Sequence, residues 1–565
     1  MQRPTHRPTF PARLAAISCG AAFFAVLGCE KQPPITPVPY TCGETGDSVP
    51  DPSTWVSVGD PADCPDVRAL EPKLPAIPSN PTCILIAGRH TDDQNWIPEE
   101  TNDSTNDDTD TKRIQTALNS CPVVQLTTDP TDPSQTMNSF VSGPLTINGR
   151  ILWIDKGVTL FASRNPDYYQ ANATATSAGD CAKVGVNDSS ACTSFITVNG
   201  ASPGIVGEGT IDGQGGELLV NHAYSWWQLS AALQTIDGSI GNPTLVDVRS
   251  GVTNLLIYKI TLHNSPKFHV KITSTPAGGI GAACTSPGAG FIVWGVTILT
   301  PSRWLNMQGL PMSPHASRNT DGIDPGETSF ATCGLLAYNT ISTGDDHIAI
   351  KGGHGVSNIL VVHNHFGTGH GMSIGSETYG GVDGLQVCDL TIDADSRPVG
   401  DGASPGDFNG IRVKSDASRG GTVTNASYKN ICMRDVNNSI LMSTAYNPLF
   451  SGTMFPQFSD ITFQNIRDVT CMGLVQPVVT LNGFSALYPA TNIGLDNVIV
   501  DWTGPEGVSA MFSQLNLGPD NVNFAPYISG QGVSVNNGIV PPGNPPITCV
   551  FPKLPAPQPP PGWLN

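Results

Sequence analysis

Gly334-Leu-Leu-Ala-Tyr-Asn-Thr-Ile341, Asn358-Ile-Leu-Val-Val-His-Asn-His-Phe366 and Gly384-Leu-Gln-Val-Cys-Asp-Leu390 decide the fold of this chain. Each opens on a glycine or a polar residue and continues with alternating apolar side chains, the period-two pattern of a β-strand. Their starts are 24 and 26 residues apart. The stretches beginning at Asn254, Asn430 and Asp460 share the shape. Each run is too short to bury itself alone, and a repeat of this length is one coil of a stacked solenoid. The expectation is all-β: a single-stranded right-handed parallel β-helix capped by a short N-terminal helix. That helix is expected over Thr111–Cys121, where Ile114 and Leu118 stand at i, i+4 behind Asp110 or Thr111 as N-cap. The later intervals lengthen, which places insertions at the turns, the Gly/Pro/Asp-rich residues 394–409 among them.

Composition agrees. Among 565 residues there are 60 Gly and 49 Pro, and only 13% are charged. This suits tight turns between short strands rather than a helical bundle or a disordered chain. The net charge of -19 argues against a nucleic-acid or anionic-membrane surface as general partner. An anionic polysaccharide then needs a locally positive cleft. The acidic run 99–111 lacks the glycine and terminal glutamate of an EF-hand loop and reads as a solvated loop.

The N-terminus reads as an export signal: Arg3, Arg7 and Arg13, then an apolar run from Leu14 to Leu27 too short to span a bilayer. Val26-Leu-Gly-Cys29 resembles a bacterial lipobox, in which Cys29 is lipidated; ordinary cleavage into the periplasm or medium is the alternative. Loss of residues 1–28, with three arginines and no acid, takes the net charge from -19 to -22. Residues 29–80 read as a Pro/Asp-rich tether or arm, 81–505 as the β-helix and 506–565 as a Pro-rich extension. Without Cys19 and Cys29, twelve cysteines remain, an even set for an exported chain. Cys181 and Cys192 bracket a short polar loop and form the best local pair, whereas Cys388 and Cys432 lie in apolar runs and read as buried thiols.

The chemistry follows from the same period. Asp321 to Asp345 is 24 residues and Asp346 to His370 is 24 again, so these side chains stand one coil apart, about 4.8 Å in the pairing direction. Arg412 and Lys414 share a strand face by period two. Adjacent Asp345 and Asp346 reach one cleft only if the backbone bends, which Gly344 permits. Three carboxylates, an imidazole and two cations on one face suit acid/base chemistry on an anionic polymer, with the cations clamping a carboxylate. Asp324, His347, Lys351 and Glu377 lie nearby and read as structural. Metal binding by the three aspartates, as in calcium-dependent lyases on β-helices, is the competing reading. A non-catalytic adhesin is a third, and it has no need of six aligned polar residues.

Asn319-Thr-Asp321, Gly344-Asp-Asp346, Gly369-His-Gly371 and Arg412-Val-Lys414 resemble the four signature motifs of polygalacturonases, glycoside hydrolase family 28. The fourth motif is usually Arg-Ile-Lys. Ile151-Leu-Trp-Ile-Asp-Lys-Gly-Val-Thr-Leu160 and Gly207-Glu-Gly-Thr-Ile-Asp-Gly-Gln-Gly-Gly216 resemble bacterial members, and the similarity runs from about residue 110 to 500. The resemblance implies hydrolysis of α-1,4-linked galacturonan in pectin with inversion; the carboxylate chemistry needs no cofactor or metal, and a monomer is expected. It implies Asp345 as general acid, Asp321 and Asp346 as activators of water, and His370 as support for the acid. Arg412, Lys414 and Tyr446 are implied as substrate ligands. A lyase of pectate, or a relative acting on rhamnogalacturonan, is the alternative.

Overall fold

The computed structural model describes residues 44–47, 53–90 and 109–558, apart from 132–136, 172–178, 185–189, 235–240, 280, 328, 395–407, 448–450, 472–475, 502–503 and 539–546. These all belong to one compact unit, Tyr40–Asn565. The expected signal peptide, Cys29, the acidic run up to residue 108 and most of the 394–409 insertion lie outside the described residues.

Strands pair in parallel with their counterparts one coil away, save Arg89–His90, which lies antiparallel to Met137–Ser142. One sheet has eleven strands, running from Leu145–Asn148 to Val508–Met511. Its register explains the stack. Leu145, Ile196, Val246, Val270, Ile323, Ile348, Met372, Ile411, Ile440 and Val479 are successive partners. All ten are buried. A ladder of aliphatic side chains at one register position thus fills the bore, and slipping any coil by one residue would turn its apolar set outward. The residue after each ladder position faces out, and Lys271, Asp324, Ala349, Ser373 and Arg412 make that outer row.

The Asn and Gly residues at one corner of successive coils have a conformational reason. Asn358, Asn425 and Asn492 have φ of 56°, 54° and 53°, and Gly384 has φ 79°. A left-handed corner tolerates Asn and Gly best. At the next corner Asn465 Nδ2 donates to Asn430 Oδ1 at 3.0 Å, and Asn497 Nδ2 to Asn465 Oδ1 at 2.8 Å. Stacked coils bring equivalent amides one strand apart, so each satisfies the next.

The capping helix spans Thr111–Ser120 and buries Ile114, Ala117 and Leu118. Asp110 stands at its N-cap, yet its side chain does not cap; it accepts from Val141 N at 2.9 Å and Arg113 Nε at 2.7 Å. A second helix, Trp226–Gln234, was not expected; it carries the buried Trp226, Trp227 and Leu229 on an excursion between coils.

From Ser53 onward the N-terminal arm is docked rather than free. Trp55 Nε1 donates to Asp389 Oδ2 at 3.0 Å, and Trp55 stacks on His365 at 3.9 Å. Cys64 is disulfide-bonded to Cys388. The stack also continues past residue 505: Val508–Met511 and Ser513–Leu517 join the two main sheets, and Phe551–Lys553 pairs with Glu44–Asp47. Cys388 and Cys432, expected as buried thiols, are bonded to Cys64 and Cys549 across 324 and 117 residues of sequence, separations that only the tertiary fold closes. Cys181–Cys192 forms as expected, alongside Cys83–Cys121 and Cys284–Cys333.

Candidate active site

Strands Ile323–Pro325, Ile348–Ile350, Met372–Ile374 and Asn409–Lys414 are consecutive in the eleven-strand sheet. The turns entering the first three carry Asp321, Asp345 with Asp346, and His370. The residues expected on one face are therefore brought together.

Asp346 is the anchor. Its Oδ1 accepts from Arg412 Nη1 at 2.8 Å and from Ser373 Oγ at 2.8 Å, and its Oδ2 accepts from Lys414 Nζ at 2.6 Å. Burial opposes its charge, but Lys414 and Arg412 outweigh burial and hold the carboxyl below the usual carboxylate range. Asp345 Oδ1 lies 2.9 Å from His370 Nδ1, and its Oδ2 accepts from Asn319 N at 3.1 Å. Burial works against this carboxylate too, and His370, Lys414 and Arg412 together overcome it and favour the ionised form. The Asp345 side chain is 21% exposed and that of Asp346 1%. Of this adjacent pair, Asp345 is thus the one that reaches the cleft.

Asp321 differs from both. It is buried, its Oδ1 has no hydrogen-bond partner, and Lys351 Nζ stands 3.6 Å from Oδ2. Burial first, and then the charge of Asp345, raise its pKa well above the ordinary value. One face therefore holds an ionised carboxylate clamped by cations beside a carboxyl that resists ionisation.

The backbone sets this geometry. Gly344 was expected to permit a bend. Its φ is not in the left-handed region; its need is close approach, because a Cβ there would run into the Ser317 and Pro314 carbonyl oxygens. Gly371 has φ 84°, and a Cβ there would meet the Gly410 carbonyl. Asn319, at φ 56°, turns its amide toward Asp345. Tyr446 is 39% exposed, and its hydroxyl accepts from Arg412 Nη2 at 3.1 Å. His347 is structural, as expected: it accepts from Gly371 N at 3.0 Å and stacks on Phe366 at 4.6 Å.

Two site residues escaped the sequence reading. Ser373 sits one register step below Arg412 and bonds Asp346; its strand position was the available signal. Lys351, read as structural, is the cation nearest Asp321 and lies 3.7 Å from Glu377.

A metal fits poorly. Asp345, Asp346 and His370 offer donor atoms within 4.8 Å of one another. Both oxygens of Asp346 are engaged by fixed cations, and a divalent ion would enter against the charges of Arg412 and Lys414.

Comparison with known proteins agrees with this geometry. The model of glycosyl hydrolases family 28 matches residues 156–514. A polygalacturonase of Ralstonia nicotianae is 35% identical over 500 residues, covering 84% of this chain and 87% of that protein. An endo-polygalacturonase of Pectobacterium parmentieri is 38% identical over 389 residues, covering 67% and 82%. The solved polygalacturonase from Erwinia carotovora ssp. carotovora superposes with a TM-score of 0.55 at 31% identity, over 84% of this chain and 97% of that one. A parallel β-helix carrying this constellation, matched by the family model over more than half its length, identifies the chain as a member of glycosyl hydrolases family 28 and a glycoside hydrolase.

Proposed function

We propose that the protein hydrolyses α-1,4-galacturonosidic bonds of polygalacturonate with inversion. The observation that carries the proposal is Asp345, a cleft-facing carboxyl paired with His370 beside two cations placed to hold a uronate carboxylate. The named activity of the relatives supports the substrate. The five disulfides among the described residues fit an exported protein, where such a polymer is met.

Inversion needs one protonated and one ionised carboxyl group at the moment of cleavage. In the free site Asp321 is the carboxyl whose surroundings favour the protonated form. A substrate carboxylate against Arg412 and Lys414 offsets part of the positive charge that holds Asp345 down, so the Asp345 pKa rises on binding. Once Asp345 is protonated, its repulsion of Asp321 vanishes and Asp321 ionises more readily. The carboxyls thus titrate as a coupled set whose proton moves toward the leaving oxygen when substrate arrives. Asp345 then protonates the glycosidic oxygen as the C1–O bond breaks. Water adds to C1 from the opposite face and passes its proton to Asp321, whose Oδ1 has no hydrogen-bond partner, with Asp346 fixing the site. His370 positions Asp345.

Asp345→Asn removes the proton donor with little change of shape. Turnover on polygalacturonate should fall at least ~100-fold, the scale of general acid catalysis. Proton NMR of the first product of the unmodified enzyme should show the β-anomer. Near-normal turnover of the variant, or an initial α-anomer, overturns the assignment.

A further inference from the structure

Phe268 lies in the turn entering strand Val270–Ile272, one coil before Asp321. The neighbouring His269 donates its backbone N to Asp321 O at 2.8 Å. Three ammonium groups converge on the Phe268 ring: Lys267 Nζ at 4.9 Å from its centroid, and Lys271 and Lys351 Nζ each at 6.0 Å. In a protein of net charge -19 this is a local concentration of positive charge inside the cleft.

The register gives its place. Val270, Ile323, Ile348, Met372 and Ile411 are successive partners, so the coil of Asp345 and Asp346 has Lys271 two coils to one side and Arg412 two coils to the other. Each separation is about 10 Å, twice the strand spacing. Lys271 and Arg412 also occupy the same outward row, with Asp324, Ala349 and Ser373 between them. The acids that face these lysines are Glu327, Asp321, Asp324 and Glu377. Burial, and then the charge of Asp321, raise the Asp324 pKa well above its ordinary value. Lys351 is shared between Asp321 and Glu377. Burial, and then the charge of Lys271, depress the Lys267 pKa, and an anion close by would favour its charged form.

We propose that Lys267 and Lys271, standing on the Phe268 ring with Lys351 behind them, form a second carboxylate-binding subsite. It takes a uronate on the other side of the scissile bond from the one held by Arg412 and Lys414. Placing the scissile bond at Asp345 rests on the proposed function; carboxylate binding by the lysines does not. The subsite makes the enzyme select runs of free uronates, because a methyl ester on either side of the cut removes a charge that a fixed cation attracts.

The test is equilibrium binding of galacturonate hexamer, unesterified and fully methyl-esterified, to Asp345→Asn, which leaves the oligomer intact. Lys267→Met and Lys271→Met are added singly to this background; Met keeps the stem on Phe268. Each should weaken the unesterified hexamer about tenfold, the scale of one charged contact, and leave the esterified hexamer unchanged. Unchanged affinity for the acid hexamer, equal losses on both hexamers, or no binding by Asp345→Asn alone overturns the subsite. Hydrolysis of polygalacturonate by the unmodified enzyme is assayed in parallel. If hydrolysis is absent while the lysine effects hold, the proposed reaction fails and the subsite stands. If hydrolysis is present and the lysines make no difference, the subsite alone fails.

Discussion

Asp321 and Asp346 are the same side chain under opposite physics. Both are buried, which penalises charge. Asp346 receives three hydrogen bonds, two of them from cations, and keeps its charge. Asp321 has one oxygen without a hydrogen bond and a lysine only at ion-pair distance, and does not. A carboxyl raised in the folded state stabilises the fold fully below its unfolded pKa, and that contribution is lost as pH rises through the folded pKa. Asp321→Asn removes the penalty, so the variant should be the more stable protein at neutral pH by about 1–3 kcal/mol, the cost of an unsatisfied buried polar group. The gain should shrink toward zero as pH falls to the ordinary carboxylate range near 4, while activity is lost throughout. Thermal melts from pH 4 to 8 check this; a gain independent of pH would mean that ionisation is not the cause.

At the level of the element, the catalytic turns work because glycine lets coils approach where a side chain must be aimed. Gly371 holds φ 84° directly after His370, and its Cα faces the Gly410 carbonyl in the next coil. An alanine there meets both a strained conformation, on the order of 1–3 kcal/mol, and a collision with backbone. The turn relieves this by moving, and His370 moves with it, away from the 2.9 Å contact to Asp345. Gly371→Ala should therefore lower kcat at least ~10-fold, as displaced catalytic groups do, with the strand content by circular dichroism preserved. Full kcat in a folded variant would show that this turn has slack.

Over the whole molecule, the N-terminal arm covers an apolar outer face that includes Trp153, Tyr258, Trp294 and Tyr338, away from the bore and from the catalytic turns. It is held by the Cys64–Cys388 disulfide and by Asp389, which accepts from Trp55 Nε1 and from Val58 N at 2.6 Å. Because that bond closes a 324-residue loop, it constrains the unfolded chain strongly. Cys64→Ser with Cys388→Ser should cost about 2–5 kcal/mol and open residues 53–83 to limited proteolysis, with kcat on polygalacturonate unaltered. A drop in kcat equal to the drop in stability would tie the arm to the site.

The coil period carried much of this protein in its sequence. Within the stretch from Asp321 to His370, a spacing of 24 residues is one strand of space, so sequence offset became spatial contact without any knowledge of packing. That is why Asp321, Asp345, Asp346 and His370 were legible together, and why alternation placed Arg412 and Lys414 on one face. Elsewhere the coils are unequal. Val270 and Ile323 are register partners although 53 residues separate them, so the sequence held no sign that Lys271 and Lys351 share the ring of Phe268. Ser373 as a ligand of Asp346, the docking of the arm and the partners of Cys388 and Cys432 depend on contacts between distant segments. The same holds for charge. Three aspartates of one cluster are equal in the sequence, and only the packing decided which of them receives cations and which is left to burial.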